Sequence, residues 1–194
     1  MPPISLIPHS STPCASLRRV AVRVRRARGV MLALVYTLEG AIAGLRLPAP
    51  GPPSRADELW RHTCFEAFLT GRGLTGYYEF NFAPSTEWAL YHFAAYREGM
   101  SVVEPAERPP IATRAGVDRF ELKTTIHLNR LSPVLTDGSL RLALTAVVEE
   151  ADGRHSYWSL RHPPGRPDFH HPDGFALALD GAEPALNLAR SPSF

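Results

Sequence analysis

The stretch YYEFNFAPSTEW, residues 77–88, begins with six residues that have the pattern of a β-strand. Alternate side chains of a strand point to opposite faces of its sheet; here one face is apolar and the other also holds an acid and an amide. The apolar face predicts contact with a core, so the second face is either wet or built to hold a ligand. The apolar face comprises Tyr78, Phe80 and Phe82, and the second face comprises Tyr77, Glu79 and Asn81.

The preceding segment, DELWRHTCFEAFLTG at residues 57–71, predicts a partner strand over Glu58–Leu69, joined to the first by a glycine-rich turn. A hairpin must turn both apolar faces to one core, because a one-residue slip would turn a whole set of side chains to water. Cross-strand neighbours lie about 5 Å apart and diagonal neighbours about 7 to 8 Å, so Glu66 should lie near Glu79 or Asn81. The shared outer face should therefore gather Trp60, His62, Glu66, Tyr77, Glu79 and Asn81.

Two carboxylates at this spacing repel each other unless a cation or a hydrogen-bond donor lies between them. Arg61, Arg97, a bound cation or the hydroxyls of a sugar could fill that place. A sugar suits the residue types, because the Trp60 ring can stack on the C–H face of a pyranose while carboxylate and amide oxygens accept from its hydroxyls. An ordinary solvated sheet face, with the tryptophan covered by a loop, explains the same pattern.

Alternating apolar and polar residues separated by turn signals recur along the rest of the chain, with no convincing helix. They predict an all-β fold, a single-domain antiparallel β-sandwich of immunoglobulin-like or jelly-roll type over residues 4–180, followed by a C-terminal tail over residues 181–194. The six arginines between Arg18 and Arg28 fit an edge strand protected by charge. Further strands are expected at Leu17–Arg26, Val30–Leu38, Phe120–Leu128, Leu140–Val148, His155–Arg161 and Phe175–Leu179.

The composition limits the classes of partner. The 194 residues are 44% hydrophobic, as in a globular protein, and a formal charge of +2 does not favour nucleic acid. Cys14 and Cys64 lack the spacing of a zinc site or a disulfide framework. No stretch is apolar for long enough to span a membrane and the first residues do not resemble a secretory signal, so we expect a cytoplasmic protein.

Residues 57–71 and 77–88 together resemble the signature hairpin of DOMON-like domains, in the branch similar to family 9 carbohydrate-binding modules. SYWSLRHPPGRPDFHHPDGFALAL, residues 156–179, is similar to the closing motif of the uncharacterised bacterial DOMON-like group. The resemblance implies a β-sandwich whose relatives bind sugars or, in other branches, haem. In the sugar-binding relatives two tryptophans clamp the ligand; Trp60 matches the motif, and Trp158 or Trp88 would be the second.

Two cofactors are alternatives to a sugar. The loop over residues 161–174 concentrates histidines and aspartates, but it lacks metal-binding spacings and reads as a rigid loop; the resemblance leaves structural calcium possible there. Haem would need an axial histidine or methionine in an apolar pocket, and no CxxCH attachment motif is present. The loop side chains are His162, His170, His171, Asp168 and Asp173, and the axial candidates are Met100, His162 and His92.

An enzyme is a further alternative, with Glu66 and Glu79 as the acid and base of a glycosidase. We expect an open sheet face to give neither carboxyl the burial that would raise its pKa, which favours binding without catalysis. The sequence therefore predicts a small polar ligand of the carbohydrate class, with no nucleic acid or membrane partner. The predicted ligand-binding residues are Trp60, His62, Glu66, Tyr77, Glu79, Asn81, Arg97 and Trp158.

Overall fold

A computed structural model describes residues 2–27, 30–104 and 107–180. The predicted tail, residues 181–194, lies outside the described residues. Helices are few and short: one α-helix, α1 (Val134–Asp137), and four 3-10 turns at Ile42–Gly44, Leu59–Arg61, Leu128–Arg130 and Pro172–Gly174. The strands are β1 (Ile4–Pro8), β2 (Leu17–Ala27), β3 (Met31–Gly40), β4 (Cys64–Gly71), β5 (Tyr77–Phe82), β6 (Trp88–Phe93), β7 (Ser101–Val102), β8 (Ile111–Ala115), β9 (Arg119–His127), β10 (Leu140–Glu149), β11 (His155–Ser159) and β12 (Leu177–Leu179).

The strands form one antiparallel path that folds into two packed layers. The first layer runs β8-β9-β3-β2-β1 and the second runs β7-β6-β5-β4-β10-β11, with β12 also paired to β10. Strand β1 belongs to both layers, because Ile4–Leu6 pairs with β2 while Ile7 and Pro8 pair with β11. The predicted all-β antiparallel sandwich is therefore confirmed. No described helix is long and apolar enough to cross a membrane.

The core lies between the layers and is built from one alternating side of each strand. The valines of β2 and the leucines of β3 face the odd-numbered apolar residues of β4 and the even-numbered ones of β5. Tyr36 of β3 spans this core, and its hydroxyl donates a 2.6 Å hydrogen bond to the backbone carbonyl of Glu66 in β4. This bond joins the first layer to the strand that carries Glu66. The largest core side chains include Tyr36, Phe65, Phe82, Leu34, Leu69, Leu90 and Leu122.

A second apolar cluster covers part of the outer face of the second layer. Phe169 and Phe175 come from the segment after β11 and pack over the outward side chains of β4, β5, β6 and β10. The expectation of an open sheet face is therefore wrong, because the chain after β11 folds back across that face. The outward members of the cluster are Phe68, Tyr77, Ala89, Tyr91, Phe93, Ala143 and Val147.

Two details of the predicted strands are also wrong. The strand expected over Glu58–Leu69 begins at Cys64, because Glu58 has a left-handed backbone (φ 59°) and starts the 3-10 turn that carries Trp60. The arginine-rich strand β2 is not an edge, because β1 pairs with it on the side away from β3. Strands β1, β6, β7 and β8 have no counterpart among the predicted strands.

Candidate functional site

A cavity of about 630 Å³ opens on the outer face of the second layer. Its floor carries Glu66 from β4, Glu79 from β5 and Val147 from β10, while the turn at Leu59–Arg61 and the loops around Arg97 and His170 form its walls. The two acids of the polar face predicted from the sequence thus lie on the floor of a cavity that is partly open to solvent. Other lining residues are Asp57, Glu58, Trp60, Tyr91, Phe93, Met100, Val102, Tyr157, Pro167 and Phe169.

Hairpin register places the two floor carboxyls side by side. Glu66 lies opposite Asn81, and Phe68 lies opposite Glu79, so Glu66 and Glu79 are diagonal neighbours on one face, as the sequence predicts. The Asn81 amide nitrogen donates to Glu79 Oε1 at 2.7 Å. Thr145 of β10 donates to Glu66 Oε2 at 3.3 Å. Only 3% of Glu66 and 6% of Glu79 is exposed, so both carboxyls are held away from bulk water.

Burial and mutual repulsion change how easily these carboxyls ionise. Burial raises the pKa of Glu66 well above its usual value, and the neighbouring Glu79 charge raises it further. Burial also raises the pKa of Glu79, but the Asn81 hydrogen bond and the positive charge of Arg97 oppose that rise. The two environments differ in a way that favours a proton on Glu66 and a charge on Glu79. The expected ordinary pKa values are therefore wrong, because the loops bury the pair.

A hydrogen-bonded chain holds His170 beside this pair. The Arg97 backbone N–H donates to the Tyr77 hydroxyl at 3.2 Å, and that hydroxyl lies 2.8 Å from His170 Nδ1. Because the hydroxyl accepts from Arg97, it can donate its own proton to His170 Nδ1. The proton of the neutral imidazole is then on Nε2, which lies 3.7 Å from Glu79 Oε2. Burial, with a smaller contribution from the charge of Arg97, lowers the pKa of His170 to about 4. His170 is therefore uncharged at neutral pH.

Arg97 lies at the cavity wall, but its guanidinium is directed elsewhere. One of its nitrogens donates to Asp168 Oδ1 at 2.8 Å, and the Tyr96 hydroxyl donates to the other oxygen of the same carboxylate. Asp168 also accepts from the backbone N–H of His170, so this cluster ties the loop after β6 to the loop after β11. Arg97 is consequently a structural clamp beside the site, and it does not sit between Glu66 and Glu79.

Trp60 reaches the cavity from the 3-10 turn and not from a strand. Its side chain lines the cavity while 49% of the residue stays exposed to solvent. The Arg61 guanidinium lies 5.5 Å from the centre of the indole ring and pairs with Glu58 at 2.8 Å. An accessible indole therefore stands at the mouth of the cavity, above buried carboxyls.

Two of the residues expected at the site lie elsewhere. His62 Nδ1 donates to Glu149 Oε2 at 2.8 Å, and His62 lines a neighbouring cavity of about 870 Å³. Trp158 faces inward from β11, is buried in the core, and its indole donates to Ser156 at 3.0 Å. Trp88 is buried in the same core, so neither tryptophan can form a clamp with Trp60.

The aromatic walls that the structure does provide were missed from the sequence. Tyr157 points into the cavity because it neighbours Trp158 on a strand and faces the opposite side. Phe169 and His170 arrive by a long-range fold-back of the closing loop, for which local alternation gives no signal. The five aromatic side chains at the cavity are Trp60, Tyr91, Phe93, Tyr157 and Phe169.

The residues considered for metal or haem are mostly engaged in other contacts. His162 bonds to the backbone carbonyl of Ile7 at 2.8 Å, and His92 bonds to that of Thr75 at 3.0 Å. Met100 lines the cavity without either histidine. Within the described ranges, no group of three or more His, Cys, Asp or Glu side chains is placed to hold a metal ion.

Several solved structures share this fold. A candidate carbohydrate-binding protein from Bacteroides uniformis aligns with a TM-score of 0.65 and 19% identity, over 88% of this chain and 81% of that chain. A family 9 carbohydrate-binding module from Caldicellulosiruptor kristjanssonii aligns in complex with glucose (TM-score 0.52, 9% identity, 80% of this chain and 72% of that chain). The same kind of module in complex with cellotriose aligns with a TM-score of 0.52 and 9% identity, over 84% and 74%.

These likenesses confirm the fold that the two motifs imply, which is that of family 9 carbohydrate-binding modules. None of the three is described as a DOMON domain. No protein-family model matches the sequence, and no curated protein matches it either.

Proposed function

We propose that this protein binds a carbohydrate or sugar derivative in the cavity beneath Trp60. The observation that carries the proposal is a half-exposed indole at the mouth of a cavity whose floor holds two buried carboxyls. An indole face packs against the C–H side of a pyranose, and carboxyl groups exchange hydrogen bonds with its hydroxyls. The similarity to modules in complex with glucose and cellotriose supports this class of ligand.

The hydrogen bonds already made within the site suggest a role for each side chain. Glu79 uses Oε1 to accept from Asn81, which leaves Oε2 for a ligand hydroxyl. Asn81 is engaged by Glu79 and by Cys64, whose sulfur lies 3.4 Å from its oxygen, so it orients Glu79 and is not itself a ligand contact. Tyr77 acts in the same indirect way through His170. The direct contacts we propose are therefore Trp60, Glu66 and Glu79.

Binding of one sugar unit should be weak, with a dissociation constant of about mM to μM, or about −4 to −8 kcal/mol. Calorimetry or ligand-observed NMR against mono- and disaccharides and peptidoglycan sugars tests it. Trp60→Ala should weaken binding about tenfold or more through loss of the aromatic contact, while Trp60→Phe should retain part of it. His62→Ala is the matched control, because His62 lies in the neighbouring cavity. Equal binding by wild type and Trp60→Ala would remove this site from consideration.

A glycoside-processing enzyme is the second candidate, favoured by the raised pKa of the buried Glu66. Glycosidases place one carboxyl on each side of the scissile bond, whereas Glu66 and Glu79 rise from adjacent strands of one floor. Binding without hydrolysis therefore fits the geometry better. The enzyme candidate requires release of reducing sugar from an oligosaccharide by the wild type, and loss of that release in Glu66→Gln.

A further inference from the structure

The charges that line the cavity do not balance at its floor. Asp57 pairs with Arg55 at 2.6 Å, and Glu58 pairs with Arg61 at 2.8 Å, so the two acids on the Trp60 side are neutralised locally. Arg97 is the only arginine or lysine among the described lining residues, and it pairs with Asp168. Among the described residues, neither Glu66 nor Glu79 forms an ion pair with an arginine or a lysine.

Both floor carboxyls also have oxygen atoms with no partner. Glu66 Oε1 is buried and, among the described residues, nothing hydrogen-bonds to it. For Glu79 Oε2 the nearest described cationic candidate is His170 Nε2, which at 3.7 Å is beyond hydrogen-bond distance and belongs to an imidazole that is neutral at ordinary pH. Buried polar atoms in native proteins nearly always have partners, so Glu66 Oε1 points to a donor that the bound ligand brings, and Glu79 Oε2 is free to accept from the same ligand.

Aromatic rings surround the same two carboxyls. Trp60, Tyr91 and Phe93 line one side of the cavity, and Tyr157 and Phe169 line the other. The face of an aromatic ring carries partial negative charge and attracts a cation placed within about 6 Å. Both the rings and the carboxyls therefore attract a cation. The hydroxyls of a neutral sugar carry no charge, so they would leave the negative charge on the cavity floor unbalanced.

We propose that the ligand is an amino sugar, a polyhydroxylated ring whose primary ammonium group lies between Glu66 and Glu79 while its ring contacts Trp60. An ammonium group has three donors and no acceptor, which matches the two unpartnered carboxyl oxygens. This inference rests on the proposed carbohydrate binding and narrows the class of sugar. It also supplies a cation that could balance the charge of two neighbouring ionised carboxyls.

Binding of an ammonium ion should release a proton from the protein. In the empty cavity Glu66 keeps its proton, since burial and the charge of Glu79 raise its pKa. An ammonium ion beside Glu66 favours the ionised carboxyl, so the proton leaves when the ligand enters. The titratable and polar groups next to Glu66 are Tyr36, Cys64, Glu79, Asn81 and Thr145, and the other titratable residues that line the cavity are Asp57, Glu58, Tyr91, Arg97, Tyr157 and His170.

Glucosamine and glucose provide the test, because they differ only by an amine or a hydroxyl at one carbon. Calorimetry at about pH 6.5 should show glucosamine binding at least tenfold tighter than glucose, which is about 1.4 kcal/mol. N-acetylglucosamine replaces the charged amine by a larger, neutral acetamide, so it should bind no tighter than glucose. Repeating the glucosamine titration in buffers of different ionisation enthalpy should reveal release of about one proton.

Three Glu→Gln substitutions, each of which replaces one carboxyl group by a neutral amide, locate the effect. Glu66→Gln and Glu79→Gln should each reduce the preference for glucosamine over glucose to within about threefold, and Glu66→Gln should abolish proton release. Glu87→Gln removes a carboxylate that lines the neighbouring cavity and should leave the preference unchanged. Thermal unfolding of each variant confirms that it is folded before its binding is compared.

The possible results separate the two proposals. If glucose and glucosamine bind equally, or the preference survives both Glu66→Gln and Glu79→Gln, the amino-sugar inference is wrong and carbohydrate binding stands. If neither these sugars nor any other member of the wider panel binds, both proposals are wrong. If glucosamine is preferred but Trp60→Ala binds it as well as wild type does, the ammonium ion is recognised elsewhere and the inference fails.

Discussion

At the scale of single residues, Glu66 shows how burial links ligand binding to stability. The pKa of a glutamate in an unfolded chain is about 4.3, and burial in the folded protein raises the pKa of Glu66 well above that value. Above about pH 4.3 the folded state thus holds a proton that the unfolded state has lost. The free energy of unfolding should therefore fall as pH rises from there to the raised pKa of Glu66.

Glu66→Gln removes this titration and keeps the shape of the side chain. We expect the variant to gain melting temperature relative to wild type as pH rises from about 4 to 8, because only the wild type must take up a proton at this position on folding, and that uptake costs more as pH rises. Thermal melts at several pH values measure the effect, and Glu87→Gln, at a less buried position, should show no such trend. A variant that melts below wild type by a constant amount at every pH would contradict the assigned protonation of Glu66.

At the scale of elements, the β4–β5 hairpin depends on the glycine that precedes β5. Gly76 has a φ of 76°, and a Cβ atom there would lie 1.8 Å from the carbonyl oxygen of Phe93 in β6. Gly73, in the same connection, has a φ of 84° and no atom within 4 Å of the corresponding position. The two glycines therefore separate the effect of backbone conformation from that of a steric clash.

Gly73→Ala should cost about 1 to 2 kcal/mol, which is the penalty of the left-handed backbone alone. Gly76→Ala should cost more than about 3 kcal/mol, since the β6 backbone must also move away. Urea unfolding of both variants measures the difference. Similar losses in the two variants would mean that β6 is not fixed against the start of β5.

Elements also mark the limit of what the sequence predicts. The alternation of apolar and polar residues was enough to predict the register that brings Glu66 beside Asn81 and Glu79. A one-residue slip of the strand would expose its whole apolar face to water. The same alternation wrongly extended the strand back through Trp60, since nothing local signals the left-handed residue before the 3-10 turn. Contacts between segments far apart in the sequence, such as the contact of His170 with the hairpin face, leave no periodic pattern in the local sequence.

At the scale of the whole molecule, β1 is the strand that completes both layers. Its first half pairs with β2 and its second half with β11, so its removal would expose an edge of each layer at once. Unpaired strand edges are templates for association with other chains. Deletion of residues 2–8 should therefore lower the melting temperature and produce larger species on size-exclusion chromatography with light scattering.

Ile7→Ser is the matched control for that deletion, because the Ile7 side chain is exposed and the substitution leaves the backbone pairing in place. It should melt and elute as the wild type does. A deletion variant that stays the same size and melts at the same temperature would show that β2 and β11 hold the layers together without β1.

The unequal shielding of the three tryptophans gives the protein an intrinsic optical probe. Trp88 and Trp158 are enclosed in the core, whereas Trp60 meets solvent at the cavity mouth. Acrylamide should therefore quench mainly the red-edge emission of Trp60, and a Trp60→Phe variant should be nearly insensitive to the quencher. A ligand bound against the indole would shield the ring from acrylamide. Unlabelled compounds could therefore be screened by the decrease in quenching alone.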